Sequence, residues 1–249
     1  MMLIILFASV ILAGFISEIF KRKMEKLKEF IISYSVSIVL TLICIHILPE
    51  IFSNNNIEIG YYILAGFLIQ ILLELLSKGI EHGHIHVHGK ITNHQLLVIF
   101  IGLSIHSFME GLPLNTIEHL HHNHNLHNNI EYINNFSWIY LLMILIHKLP
   151  IAAVLMFFLN SNGLNKIKKY GLLFIFAATA PLGAILGEEL LKFSFFNDWS
   201  IKFLAISSGM LLHITTLLIF EDHHHSNKKI KNLITISIGI ITGSLIFSF

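Results

Sequence analysis

The sequence predicts an all-α membrane protein with eight transmembrane helices, and two observations lead to this fold class. First, 55% of its 249 residues are hydrophobic and only 12% are charged, whereas soluble domains carry about a quarter charged residues. Second, the apolar residues form runs of about 20, the length that a helix needs to span a bilayer. Membrane β-strands would be shorter and would alternate polar with apolar residues. The predicted spans are 2–20, 30–52, 59–80, 95–114, 136–159, 171–191, 200–220 and 230–249.

The composition also excludes several classes of protein. A chain this apolar is neither a soluble enzyme nor a disordered scaffold. Its 16 basic and 15 acidic residues give a net charge of +1, so no nucleic-acid partner is expected. The single Cys44 excludes a disulfide framework. We therefore expect the lipid bilayer as its surroundings and one transmembrane domain over residues 1–249.

Basic residues set the predicted orientation of the spans. Lys21, Arg22 and Lys23 follow the first span, and Lys166, Lys168 and Lys169 follow the fifth. Because short loops rich in lysine and arginine stay in the cytoplasm, both loops are predicted to lie inside. An even number of spans then places both termini outside.

Ionisable side chains within the spans are the first functional candidates, because such groups are costly at membrane depth unless they are paired, hydrated or metal-bound. In span four, His106 and Glu110 are four residues apart and therefore share one helix face. In span five, His147 and Lys148 precede Pro150. Imidazole and carboxylate groups together suit zinc, iron or manganese. Hydrogen bonds between helices are the plainer alternative.

Three further polar residues in the spans, His46, Glu50 and His213, are candidates for an ion path. For His213 alone, a hydrogen bond between helices is the stronger alternative. A proline inside a helix frees the carbonyl four residues back, and in lipid that carbonyl must face protein, water or an ion. Ligand-type side chains beside broken helices are typical of a transporter's central site. The four prolines, all in predicted spans, are Pro49, Pro113, Pro150 and Pro181.

The chain contains 17 histidines, and most of them cluster in three predicted loops. Such tracts bind transition metals loosely, and a solvated loop without a ligand is the alternative. Clusters on both membrane faces suit a path that collects an ion on one side and delivers it on the other. The inner clusters are His82, His84, His86 and His88 and then His223, His224 and His225; the outer cluster is His119, His121, His122, His124 and His127.

Four short motifs in order along the spans carry a resemblance to a known family. They are His46-Ile-Leu-Pro49-Glu50, His106-Ser107-x-x-Glu110-Gly111, His147-Lys148-Leu-Pro150 and Ala180-Pro181-Leu182-Gly183-Ala184. Together they resemble the ZIP (Zrt/Irt-like) family of divalent metal transporters, and its prokaryotic branch in particular. The second motif is the most specific, since it is similar to the family's His-Asn/Ser-x-x-Glu/Asp-Gly.

The chain departs from the family pattern at a second metal position. Many members hold two metal ions side by side, but here Lys148, Ile151 and Ala180 stand where the family has ligands. The resemblance thus implies one metal site of His106, Glu110 and His147, with Ser107 and Lys148 as the remnant of the second. We infer that the Lys148 ammonium pairs with Glu110 and replaces the second cation. The alternative is that Lys148 points into a water-filled path.

The resemblance also implies the activity and the arrangement of the spans. It implies a 3+2+3 order, and spans one, four, five and six that move against the others as an elevator, carrying the ion into the cytoplasm. Zn²⁺ is the expected substrate because the ligand set has two imidazoles and one carboxylate, while Fe²⁺, Mn²⁺ and Cd²⁺ stay open. The lack of a long targeting extension favours the bacterial inner (plasma) membrane. A homodimer is also left open.

Other functions fit the sequence less well than transport. An intramembrane zinc protease needs His-Glu-x-x-His on a span, and the sequence contains no such string, so no enzymatic activity is expected. A haem-binding electron carrier could use His46 and His147 as axial ligands. A membrane protein that senses metal without transporting it also stays open.

Overall fold

The computed structural model describes residues 1–53, 57–77, 92–117, 120, 130–196, 198–220 and 226–246. Within these ranges the chain is helical and contains no β-strand, so the predicted all-α class is confirmed. The helices are α1 (Met2–Ile19), α2 (Lys21–Leu42), α3 (Leu48–Phe52), α4 (Ile59–Ser77), α5 (Asn93–Gly111), α6 (Ile130–Ser161), α7 (Lys166–Leu191), α8 (Ser200–Phe220) and α9 (Ser226–Ile246).

Each predicted span has a helix, although α2 and α3 share the second. Among the described residues, α5 and α9 fall outside the helical stretches that are long and apolar enough to cross a membrane. The apolar part of α9, Ile230–Ile246, is shorter than the six stretches that qualify. The six stretches that qualify are Met2–Ile19, Leu27–Phe52, Ile59–Leu76, Asn135–Ser161, Lys166–Leu191 and Ser200–Leu217.

Basic segments predicted as loops are partly helical. Only Phe20 separates α1 from α2, which begins at Lys21, and α7 begins at Lys166. Lysine, arginine, glutamate and leucine all have good helix propensity, so the helices extend beyond the apolar runs. The side chain of Asn165 caps α7 by accepting a hydrogen bond from the Lys168 amide.

The prolines break fewer helices than the sequence suggested. Pro150 and Pro181 lie inside continuous helices α6 and α7, because a single proline removes one hydrogen bond and the flanking turns hold. Pro113 lies just beyond the end of α5 and Pro49 in the first turn of α3. A π-helical segment, Ile43–Ile47, precedes α3; such segments widen one turn of a helix and are frequent at functional sites.

The helices pack as two bundles. The first bundle contains α1, α5, α6 and α7, and the second contains α2, α3, α4, α8 and α9. The bundles meet mainly where α2 packs on α6 and α4 packs on α5. One apolar cluster crosses this boundary and includes Leu42 of α2, Tyr140 of α6 and Leu211 of α8.

Contacts along the helices give their relative directions. Residues 62, 66 and 67 of α4 meet residues 199, 206 and 213 in that order, so α4 and α8 run parallel. Residues 7, 14 and 18 of α1 meet residues 174, 173 and 169, so α1 and α7 run antiparallel. In the same way α5 is parallel to α7 and antiparallel to α6. These directions match the predicted alternation of the spans.

Candidate metal site

Helix α5 carries three of the site residues on one face. A capping box of Thr92 and Gln95 fixes its first turn, since each side chain satisfies a backbone amide of the other residue. His106, Ser107 and Glu110 then follow near the end of the helix, spaced by three and four residues, and all three are buried. Helical periodicity therefore stacks them toward the same neighbour.

Helix α6 supplies the second half of the site. His147 and Lys148 lie on α6 between two apolar clusters, the first ending there at Ile144 and the second beginning at Ile151. Because α6 runs antiparallel to α5, both side chains reach Glu110. The sequence prediction that His106, Glu110 and His147 share one place thus matches the geometry, with their ligand atoms within 4.8 Å of one another.

One carboxylate oxygen faces both imidazoles. Glu110 Oε1 lies 2.9 Å from His106 Nε2 and 3.4 Å from His147 Nε2. A tetrahedral Zn²⁺ with bonds of about 2.1 Å holds neighbouring ligand atoms about 3.4 Å apart. The two separations from Glu110 Oε1 are therefore close to those between neighbouring ligands of zinc, and the three side chains supply the nitrogen and oxygen ligands that zinc prefers.

The other oxygen of Glu110 faces an ammonium group. Lys148 Nζ lies 2.7 Å from Glu110 Oε2 and donates a hydrogen bond to Ser107 Oγ at 2.7 Å. Ser107 Oγ in turn contacts the hydroxyl of Thr179 on α7. The two oxygens of one carboxylate thus have separate roles, one toward imidazoles and one toward a fixed cation.

The whole arrangement is sealed from its surroundings. Glu110 has none of its surface exposed, and His106, His147 and Lys148 expose 2% or less. Buried charges are costly unless they are paired and hydrogen-bonded. Here the ammonium and the carboxylate compensate each other, so that the site holds no net charge while both imidazoles are neutral.

A residue that sequence reasoning missed lies behind His106. Gln70 of α4 is fully buried, and its Oε1 lies 2.7 Å from His106 Nδ1. With a proton on Nδ1, the ring donates to the amide oxygen, and Nε2 presents its lone pair toward Glu110. A glutamine within the apolar run 63–73 was the available signal, because a polar amide in lipid needs a partner.

A second missed residue, Tyr140, supports the end of α5. The amide of Leu114 binds Gly111 O, so it does not serve Glu110 O, its usual partner in a longer helix. The Tyr140 hydroxyl donates to Glu110 O at 2.8 Å and also contacts Ser207 Oγ of α8 at 2.8 Å. The Tyr140 hydroxyl therefore supplies a hydrogen bond to the Glu110 carbonyl, which lacks its helical partner at the end of α5.

The carbonyl freed by Pro150 has a protein partner. Pro150 has no amide hydrogen for Ile146 O, and the hydroxyl of Ser35 on α2 donates to this oxygen at 2.7 Å. The freed carbonyl beside His147 is thus hydrogen-bonded across the boundary between the bundles. At the second metal position of the family, Ile151 and Ala180 are buried in apolar clusters.

The other predicted residues lie apart from this cluster. His213 Nε2 lies 2.7 Å from Glu74 Oε2 of α4, which is the interhelical contact given above as the alternative. His46 lies in the π-helical segment and Glu50 in α3, both partly buried. The loop histidines at 82, 84, 86, 88, 119, 121, 122, 124, 127, 223, 224 and 225 lie outside the described residues.

The fold and the site together define a class: a helical membrane protein with a buried imidazole–carboxylate site of the kind that holds a divalent metal ion. The family model described as ZIP Zinc transporter matches residues 81–249. The chain therefore belongs to the ZIP zinc transporter family, as the motifs predicted, and the family's substrates are divalent metal ions. Neither a curated protein nor a solved structure matches the chain. Membership favours a transporter over the enzyme and haem-binding interpretations.

Proposed function

We propose that the chain carries a divalent metal ion, with Zn²⁺ as the preferred substrate, across the plasma membrane into the cytoplasm. One observation carries the proposal: His106, Glu110 and His147 bring two nitrogens and one oxygen within 4.8 Å of one another in a fully buried place. Family membership supplies the substrate class. Residues 1–249 act as one domain of eight spans with both termini outside.

The ion binds at Glu110 Oε1 together with Nε2 of His106 and of His147. Because these atoms are sealed, the ion reaches either side of the membrane only after a movement. The first bundle holds all three ligands and the second holds none of them. We propose that the first bundle shifts against the second as an elevator, since its helices are the set that the resemblance assigned to the moving part.

Lys148 takes the place of a second metal ion in this proposal. Its Nζ contacts the oxygen of Glu110 that faces away from the imidazoles, so an ion at Oε1 does not have to displace it. The ammonium also compensates the buried carboxylate when no ion is bound. We therefore assign one metal ion to each chain in each cycle.

Zinc flux into proteoliposomes tests the proposal, with His147→Ala as the site variant and His94→Ala as its matched control. His94 is an exposed histidine at the start of α5. Flux should fall to background in His147→Ala and stay unchanged in His94→Ala. Excess Fe²⁺, Mn²⁺ or Cd²⁺ added as a competitor measures selectivity, and zinc accumulation in cells that express the chain measures direction.

Three results would contradict parts of this proposal. Wild-type flux that persists in His147→Ala would remove the site from the path. Zinc binding without any flux would identify a metal sensor instead. If Lys148→Asp still binds one metal ion per chain, rather than two, replacement of the second cation by Lys148 is wrong.

A further inference from the structure

The metal site has a supporting residue on the other side of the bundle boundary. His106 belongs to α5 of the first bundle, whereas Gln70 belongs to α4 of the second. Their side chains meet at 2.7 Å between His106 Nδ1 and Gln70 Oε1. Both residues are buried to 1% exposure or less. A contact with one possible metal ligand thus depends on how the two bundles are placed.

We propose that Gln70 is a positioning residue that makes the affinity for the metal ion depend on the position of the bundles. The inference rests on the proposed function and deepens it. While the bundles lie as in this structure, Gln70 holds His106 ready to bind the ion. When the first bundle shifts, the contact breaks, and the ion is released more readily.

The contact with Gln70 selects the tautomer of His106. An imidazole that donates from Nδ1 to an amide oxygen keeps Nε2 as an acceptor, and Nε2 is the atom nearest Glu110 Oε1, at 2.9 Å. Two acceptors at this distance repel each other unless a proton or a metal ion lies between them. A donor contact from the Gln70 amide nitrogen would instead put the proton on Nε2 and oppose metal binding, so the two orientations predict opposite effects.

The contact with Gln70 should change the metal affinity by a measurable factor. Acceptors that hold the far nitrogen of a metal-binding histidine fix the ring and raise its basicity, and their removal typically lowers metal affinity 10- to 100-fold. A bundle shift that breaks the Gln70 contact acts on the site in the same way as that removal. Tight capture and ready release therefore follow from one hydrogen bond that exists in only one arrangement.

Positioning of His106 by Gln70 differs from a bond that only attaches one bundle to the other. Tyr140 and Ser207 also form a hydrogen bond across the boundary, at 2.8 Å, but Ser207 contacts no candidate ligand side chain through it. Ser207→Ala is thus the matched control for the loss of one cross-boundary bond. If Gln70 only joined the bundles, its loss would resemble the loss of the Ser207 hydroxyl.

The experiment measures Co²⁺ affinity by visible absorption of the purified full chain, and zinc flux in proteoliposomes. Subtracting the Co²⁺ absorption of His147→Ala from that of the wild type gives the absorption due to the site, without the contribution of the loop histidines. We expect Gln70→Leu to weaken Co²⁺ binding 10- to 100-fold and to raise the KM for zinc in parallel. Gln70→Glu, which restores an acceptor, should recover the affinity. Ser207→Ala should keep the wild-type affinity.

Each other outcome overturns the inference. Unchanged or tighter Co²⁺ binding in Gln70→Leu would mean that Gln70 does not hold the binding tautomer. Equal weakening in Ser207→Ala would reduce Gln70 to an attachment point. If Gln70→Leu keeps the zinc flux and the Co²⁺ affinity of the wild type, only this inference is contradicted. If the wild-type protein itself shows no zinc flux, the proposed function is contradicted as well.

Discussion

The contacts inside the two bundles differ in kind from the contacts we find between them. Inside, glycines bring backbones together: a Cβ on Gly183 would lie 2.1 Å from Phe108 O in the first bundle, and one on Gly66 would lie 1.9 Å from Ile206 O in the second. Across the boundary, side chains make the contacts: the apolar cluster that includes Leu42 and Tyr140 packs there, and single hydrogen bonds join Gln70 to His106 and Ser35 to Ile146 O.

This difference separates parts that stay together from parts that can exchange partners. Two backbones in contact through glycine cannot slide without a clash, because interiors are close-packed. A hydrogen bond between side chains contributes about 1 kcal/mol and can be remade elsewhere. The bundles are therefore suited to move as units, and the candidate metal site lies beside the boundary where the proposed movement would occur.

The largest expected effect comes from filling the glycine contacts inside a bundle. Gly183→Ala and Gly66→Ala each place a methyl group against a backbone oxygen, which a neighbouring helix cannot avoid without moving. We expect both variants to lose the folded state or to melt far below wild type. Gly171→Ala is the control, since its Cβ would meet nothing within 4 Å and alanine favours helix. Thermal unfolding in detergent measures all three, and equal melting temperatures would contradict rigid packing.

The next effect concerns an ion pair inside the first bundle. Lys169 of α7 is 4% exposed and contacts Glu18 of α1, and it also donates to Asn160 Oδ1 of α6 at 2.7 Å. Glu18→Gln leaves a buried ammonium without its carboxylate, which should cost about 3 kcal/mol, the lower end of the range for a broken buried pair, because the Glu18 side chain is 26% exposed. The double variant Glu18→Gln/Lys169→Met should recover part of this loss in unfolding measurements. No recovery would show that the charge is not the cause.

The sequence predicted the helices from local rules, whereas the grouping of His106, Glu110 and His147 rested on local rules together with the family resemblance. Runs of apolar residues locate spans, and the spacing of His106 and Glu110 puts them on one helix face. His147 was found because ionisable residues in lipid are costly enough to indicate function. These inferences need no knowledge of which helices are neighbours, apart from the pairing of α5 with α6.

The parts that were missed depend on neighbours far apart in the chain. Gln70 and Tyr140 act on α5 from α4 and α6, and a single sequence does not give those pairings. Lys169, predicted in an inner loop, is a buried partner of Glu18 because α7 starts earlier than its apolar run. The prediction of a broken helix at Pro150 was wrong, since it counted the lost hydrogen bond but not the turns on either side.

The smallest expected effect comes from Tyr140, whose hydroxyl makes one hydrogen bond inside the first bundle and one across the boundary. It donates to Glu110 O within the first bundle and contacts Ser207 Oγ across the boundary. Tyr140→Phe removes both interactions and leaves a buried carbonyl open, so we expect a loss of about 1–3 kcal/mol in the free energy of unfolding.

Ser207→Ala removes only the contact across the boundary. The difference between the two variants therefore measures how strongly Tyr140 holds the end of α5 that carries Glu110. We expect Tyr140→Phe to be the more destabilised of the two and to bind Co²⁺ more weakly, because it removes a hydrogen bond to the backbone of the candidate ligand Glu110. If both variants unfold at the same free energy, the hydroxyl acts only between the bundles, and the end of α5 is held by its packing against α7.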